Sequence, residues 1–263
     1  MTHDAVRVTT DGPIATVTLS RPDRLNALDL AGMRLLAGRL REAAGRPGVR
    51  CVLLTGEGRG FCAGADVSPE GAAAGGADGR AIVAAANDVV LAVIRADVPV
   101  VAAVNGPAVG VGVSFAIACD AVVAADTSWF QLPFVRIGLL PDGGATHLLP
   151  AAIGRVRASR MALFAERVPA ADALAWGMVS HVVPAVELLG TARALAAGAA
   201  GASPEALRRT KRALRRAAAD GLEAAMRHEL QEQGELLDGP DYAEGLTALR
   251  ERREPRFGPA HPW

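Results

Sequence analysis

Val100-Val-Ala-Ala-Val104-Asn-Gly-Pro-Ala-Val-Gly110-Val-Gly-Val-Ser114-Phe-Ala-Ile-Ala118-Cys-Asp-Ala121-Val-Val-Ala-Ala125 is the stretch that decides the fold. Just after Pro99, Val100–Val104 is an unbroken apolar run of strand length, ended by Asn105, Gly106 and Pro107. Gly110–Ala118 has the small, apolar character of a packed helix, and Ala121–Ala125 is a second buried strand. Two buried strands joined through a helix imply a right-handed crossover and parallel pairing. The run from Val98 to Cys119 is the longest apolar stretch of the chain, but its interruptions suit a buried strand, turn and helix better than a membrane span.

The same alternation extends outward. Val6–Thr10 and Ile14–Leu19 alternate around Asp11-Gly12-Pro13 and read as a hairpin. Asn26 to Ala44 carries Leu28, Leu30, Met33, Leu36, Leu40 and Ala43 at helical spacing, with Asn26 or Asp29 as N-cap. Cys51–Leu54 is a short buried strand and Ala81–Arg95 a second helix. Between them the low-complexity loop Gly71–Gly79 is expected to be mobile. Past Pro150 the strand signal nearly vanishes, and helices are expected near 153–165, 170–176, 186–199, 204–219, 221–237 and 240–251. An α/β core with a helical C-terminal third follows.

Composition narrows the function classes. The 263 residues carry 28 Lys+Arg against 28 Asp+Glu, and this zero net charge removes the electrostatic case for nucleic acid or an anionic membrane surface. Aromatics are only 4%, so Ala, Val, Leu and Ile must build the core. Cys51, Cys62 and Cys119 are isolated in apolar sequence without CxxC spacing, which suits neither a disulfide framework nor zinc. A cytoplasmic protein is expected, since the start Met1-Thr-His-Asp-Ala lacks the character of a signal peptide. The five histidines show no spacing that would hold a metal. The basic run Arg208, Arg209, Lys211, Arg212, Arg215 and Arg216 reads as a solvated helix face, or otherwise as the border of an anionic ligand or subunit.

Glycine-rich motifs were weighed against their chemistry. Neither Gly56-Glu-Gly58-Arg-Gly60-Phe nor Gly110-Val-Gly112-Val-Ser-Phe completes a dinucleotide-binding pattern, and no P-loop exists. Gly112-Val-Ser114-Phe-Ala116 nearly matches a nucleophile elbow, with Asp142 and His181 in the right chain order for a triad. The strand ends well before Ser114, so a small serine on a packed helix is the favoured reading. More informative are three stretches in order: Arg21-Pro-Asp-Arg-Leu-Asn-Ala-Leu28, Gly60-Phe-Cys-Ala-Gly-Ala-Asp-Val67, and Val104 to Asp120. The second and third place small residues where a backbone can approach a ligand. The third also sets unpaired N–H groups at a helix start. Two such donors from separate loops would form an oxyanion hole, if they converge.

Together these stretches resemble the enoyl-CoA hydratase/isomerase (crotonase) superfamily. Ile137-Gly-Leu-Leu-Pro-Asp-Gly-Gly144, Ala173-Leu-Ala-Trp-Gly-Met-Val-Ser180 and Arg253-Glu-Pro-Arg-Phe257 add to the likeness, which runs from about residue 5 to 258. The resemblance implies a spiral of ββα turns over 1–200 carrying a CoA-ester site. It implies a helical trimerisation region over 201–263, hence a homotrimer or hexamer. It also implies an acyl-CoA thioester whose enolate is held by the N–H groups of Ala65 and Val111. Arg24, Ala27, Ala63 and Asp66 match positions that contact CoA, and Gly110 precedes the second donor. The two glutamates with which the family's hydratases activate water fall on Ser114 and Phe134. Asp142 falls where relatives that shift double bonds carry their base; its plain alternative is a turn aspartate at Pro-Asp-Gly. The expectation is an acyl-CoA isomerase with Asp142 as base and no metal or redox cofactor. The alternatives are a hydratase-like or hydrolytic enzyme, or a CoA-ester-binding protein without catalysis.

Overall fold

The computed structural model describes residues 5–68 and 79–258, with residues 217–220 described by their backbone alone. Strands β1 (Val6–Asp11) and β2 (Ile14–Leu19) form the expected hairpin, with Val6 opposite Leu19. The main sheet then grows in one direction. β3 (Cys51–Gly56), β4 (Val100–Val104), β6 (Ala121–Ala125) and β9 (His181–Val183) add in parallel, giving the order β1-β2-β3-β4-β6-β9. A small second sheet holds β5 (Ala108–Val109), β7 (Trp129–Gln131) and β8 (Val168–Pro169), in the order β5-β7-β8. The chain thus winds as a spiral of strand pairs and helices.

The central strands are buried on both faces, which is why β3 and β4 read as continuous apolar runs. Period-two alternation splits their side chains between two layers. Val52, Leu54, Val100, Ala102 and Val104 join a large core with helix α1 (Leu30–Gly45) and helix α2 (Gly79–Ile94). Cys51, Leu53, Val101 and Ala103 face the other way, against Leu188, Ala192 and Ala196. Those three belong to α7 (Leu188–Ala200), and the other α-helices among the described residues are α3 (Val111–Ile117), α4 (Ala145–Ile153), α5 (Arg155–Leu163), α6 (Ala170–Trp176), α8 (Pro204–Leu237) and α9 (Pro240–Glu251). Burial pushes the Cys51, Cys62 and Cys119 thiols up to about 12. All three are free. No described helix is long and apolar enough to cross a membrane.

Several expectations need correction. Asp29, not Asn26, caps α1, its Oδ1 accepting from the Gly32 N–H at 2.7 Å. Asn26 has φ +59° and is buried, with Nδ2 donating to the Glu57 and Gly60 carbonyls. The polar turn is therefore a clasp onto the end of β3. Helices expected over 204–219 and 221–237 are a single α8, since Gly221 serves packing and not termination. A Cβ there would lie 2.5 Å from His147 Cε1 on α4. Helix α4 itself went unread because Pro150 looked like a boundary, yet it lies inside that helix. Strands β5, β7, β8 and β9 are two or three residues long, too short for alternation to register. The mobile segment expected over Gly71–Gly79 falls outside the described residues, except that Gly79 opens α2.

The basic run on α8 is in part a solvated face, with Arg209, Arg212 and Arg216 exposed, but Lys211 and Arg215 turn toward the core. Lys211, the single lysine of the chain, is buried, and its Nζ donates to Asp120 Oδ2 and the Val98 carbonyl, both at 2.8 Å. Arg215 pairs with the same Asp120, Arg212 with Asp97, and Arg208 and Arg209 with Glu205. The run fastens α8 across the edge of the core.

Candidate active site

The Gly60–Val67 stretch is held by backbone bonds on alternate residues. Leu28 donates to the Gly64 carbonyl at 2.9 Å and accepts from the Asp66 N–H at 2.9 Å. This is a parallel bridge centred on Ala65. In such a bridge the central residue turns its own N–H and C=O to the opposite side. Here that side is a cavity of about 540 Å³, and the Ala65 amide has no protein partner among the described residues. On a second loop, Val111 is the first residue of α3, so its N–H has no acceptor within the helix. It too lines the cavity.

Two glycines allow these loops to meet. Gly64 has φ +91°, and a Cβ there would lie 2.8 Å from the Val109 carbonyl oxygen and 3.6 Å from the Val111 nitrogen. Gly110 has φ +57° and ψ −132°, a conformation for which a side chain is unsuited, and its N–H donates to the Gln131 carbonyl at 2.9 Å. The two unpartnered amides therefore stand on loops in direct backbone contact.

Asp142 lies in the same cavity wall and is buried. Its Oδ2 accepts from Gln233 Nε2 at 3.2 Å, whereas its Oδ1 is buried without a protein partner. Burial, with the charge of Glu229 added, pushes the carboxyl up from 3.8 to about 7. Ser114, at the first hydratase glutamate position, is fully buried and donates Oγ to the Asp142 carbonyl at 2.8 Å. Phe134, at the second, is buried too, and its Cζ would lie 3.7 Å from a Cβ on Gly110. Ser114 thus braces the turn that bears the remaining acid, and an aromatic edge replaces the other carboxylate beside the amides. The hydrolase triad does not assemble: His181 is exposed on β9 and bonded to Ser180.

The other expected positions separate into two groups. Ala63, Asp66 and Gly110 line the cavity with Ala65, Val111 and Asp142. The Asp66 carboxylate is committed to Arg21 at 3.0 Å and to the Ser68 hydroxyl and amide. Burial opposes its charge, but those donors hold its pKa below the usual carboxylate range. Arg24 is exposed and Ala27 buried, and neither lies in the lining of this cavity. Sequence reading missed Glu229 and Gln233. They sit in the polar run Glu229-Leu-Gln-Glu-Gln233, which carries no signal distinguishing it from a solvated helix face. Met33, Ile82, Val83, Leu139, Leu237 and Leu246 give the cavity apolar walls, and Gln131, Arg136, Arg253 and Glu254 add polar and charged groups to its lining.

Known proteins are similar to this chain in sequence and fold. The enoyl-CoA hydratase/isomerase family model matches residues 9–260. A probable enoyl-CoA hydratase of Rhodobacter capsulatus is 37% identical over 98% of this chain and 99% of its own. The 1,2-epoxyphenylacetyl-CoA isomerase of Escherichia coli is 36% identical over 93% of this chain and 94% of its own. Among solved structures, an enoyl-CoA hydratase from Mycobacterium avium subsp. paratuberculosis superposes with a TM-score of 0.89 at 41% identity, covering 97% of this chain and 99% of that one. With its spiral fold, its two amide-bearing loops and a match spanning nearly its whole length, the chain belongs to the enoyl-CoA hydratase/isomerase family.

Proposed function

We propose that this protein is an acyl-CoA isomerase that shifts a double bond through a thioester enolate. The observation that carries the reading is the buried Asp142 carboxyl in the cavity wall, with Oδ1 unpartnered, beside an Asp66 already committed to Arg21 and Ser68, and with Ser114 and Phe134 where hydration would need its two acids. The Ala65 and Val111 N–H groups would donate hydrogen bonds to the thioester carbonyl oxygen, which makes the α-proton acidic. Asp142 would take the C2 proton of a 3-enoyl ester, leaving a dienolate, and return it at C4. One carboxyl suffices, because the proton is moved and not consumed. Such a shift calls for no metal or redox group, and coenzyme A enters as part of the substrate.

Hydration is the second reading, favoured by the naming of the Rhodobacter capsulatus relative as a probable enoyl-CoA hydratase. Incubation with 2-enoyl, 3-enoyl and arylacetyl-derived CoA esters, with product identification, separates the two. Double-bond migration without 3-hydroxyacyl product is expected; dominant hydration of the 2-enoyl esters would overturn the isomerase. Binding without turnover would instead indicate a CoA-ester-binding protein. For the assembly we infer a homotrimer, singly or paired as a hexamer, in the cytoplasm. The exposed apolar side chains Val156, Leu163, Phe164 and Leu214 are in keeping with further burial between copies. A stable monomer in sedimentation at micromolar concentration would refute it.

A further inference from the structure

We propose that Gln233 and Glu229, one turn apart on α8, are positioning residues for Asp142: Gln233 holds the carboxyl by Oδ2 and leaves Oδ1 as its uncommitted oxygen, and Glu229 holds the loop that carries it. The inference rests on the reading of Asp142 as proton carrier and adds to it the residues that make that carboxyl usable.

Gln233 can present only one end of its amide to Asp142. Its Oε1 accepts from the Leu140 N–H at 3.0 Å, so Nε2 is the end that donates to Asp142 Oδ2. One side chain thereby clips residues 140 and 142 of the same turn. Glu229 clips the other side: Oε2 accepts from the Gly144 N–H at 2.7 Å, and Oε1 from the Thr146 N–H at 3.0 Å and hydroxyl at 2.5 Å. Ser114 on α3 fixes the Asp142 carbonyl from a third direction. The carboxyl oxygen that these contacts leave unpartnered is Oδ1. The turn also leans on the amide-bearing helix, since a Cβ on Gly143 would lie 2.9 Å from Val111 Cγ2. Displacing the turn would therefore disturb base and donor together.

The two clips act on proton affinity in opposite senses. The negative charge of Glu229 disfavours ionisation of Asp142, whereas the Gln233 N–H favours it. Other charged or titratable groups around the turn are few. Asp66 is paired with Arg21; Arg136, Tyr242, Arg253 and Glu254 line the outer cavity; His147 on α4 interacts with Glu229 from behind.

The test uses the full chain and its variants Gln233→Met, Glu229→Gln and Asp142→Asn. The probes are 3-hexenoyl-CoA for migration and phenylacetyl-CoA for α-proton exchange in D2O, between about pH 5.5 and 9. Gln233→Met is expected to lower kcat about 10- to 100-fold, with KM within about twofold, and to move the rising limb of the profile to higher pH. Glu229→Gln should move that limb to lower pH. A folded Gln233→Met with wild-type kcat and an unmoved limb overturns the proposal. So does a loss of activity that merely follows a lower Tm while the limb stays in place. If Glu229→Gln does not fold, Gln233→Met decides alone. Asp142→Asn keeps the two questions apart: full activity there sinks the reading of Asp142 itself, whereas an inactive Asn variant beside an unmoved Gln233→Met profile sinks only the positioning role.

Discussion

At pH 8 the Asp142 side chain carries a charge in surroundings that disfavour it, with one amide donor and a neighbouring Glu229 carboxylate. The chemistry benefits, because a destabilised carboxylate is a stronger base. Stability suffers. The folded-state pKa of about 7 stands above the ordinary 3.8, so the neutral acid is the form the fold prefers. Stability is therefore fully present below about pH 4, falls as pH rises toward 7, and stays low above it. Asp142→Asn keeps an acceptor for Gln233 and removes the charge. The variant should gain about 2–4 kcal/mol at pH 8, with the gain shrinking toward pH 4. Its proton-transfer activity should fall by about two to four orders of magnitude. Paired denaturant melts at the two pH values, with exchange rates on the same samples, check both. In the wild type, activity should rise with pH through about 7, since the base must be ionised.

At the scale of elements, the Ala65 and Val111 amides are brought together by the close backbone approach of two loops. Gly64 and Gly110 make it possible, the first by letting the loop after β3 pass against the Val109 carbonyl, the second by turning the chain into α3. Gly64→Ala would place a Cβ 2.8 Å from that carbonyl at a positive φ, so the loops must part. The expected result is a loss of about 1–3 kcal/mol in stability. Turnover per folded molecule should fall about 100-fold, as when one donor of such a pair is removed. Unchanged kcat in a folded Ala variant would show that the two amides need not lie together. The opposite wall depends on α8, whose residues Gln233 and Leu237 reach the cavity from a helix that began at Pro204.

Over the whole molecule, α8 is the beam joining the C-terminal helices to the spiral core, fastened by apolar packing of Leu222 and Met226 and by ionic contacts. Lys211 lies under Asp120 and the Val98 carbonyl, and Arg95 on the core side reaches Glu223 further along. Lys211→Met leaves Asp120 with Arg215 and the Val100 N–H but strips a buried partner. A loss of about 3–5 kcal/mol is expected, the usual effect of breaking a buried pair. Thermal or urea unfolding measures it, and CoA-ester turnover of the surviving folded fraction should be unchanged. Exposed pairs such as Arg39–Glu42 should contribute little by comparison.

Sequence alone determined the alternation of buried strands and helices and the small-residue loops of this protein, because both are written in local chemistry, while the spiral and the pairing of two amides came from the resemblance to a family. Strand-length apolar runs such as Val100–Val104 can be buried only on both faces, and small residues such as Ala63-Gly-Ala65 and Gly110-Val-Gly112 admit close backbone approach wherever they fall. It also singled out Asp142, through the resemblance of Leu140-Pro-Asp-Gly-Gly144 to the family's motif, since its local chemistry alone reads as a turn aspartate. The tertiary structure alone decided what Asp142 is. Its environment comes from Glu229 and Gln233, 87 and 91 residues further along the chain, on a helix whose polar run looks like any solvated face. The short strands β5, β7, β8 and β9 were settled in the same way, by pairing with distant partners and not by their own two or three residues. So was Lys211, whose burial beneath Asp120 no property of a basic helix could foretell. Burial and long-range pairing are properties of the folded neighbourhood, and it is burial that turns an ordinary turn aspartate into a group titrating near pH 7.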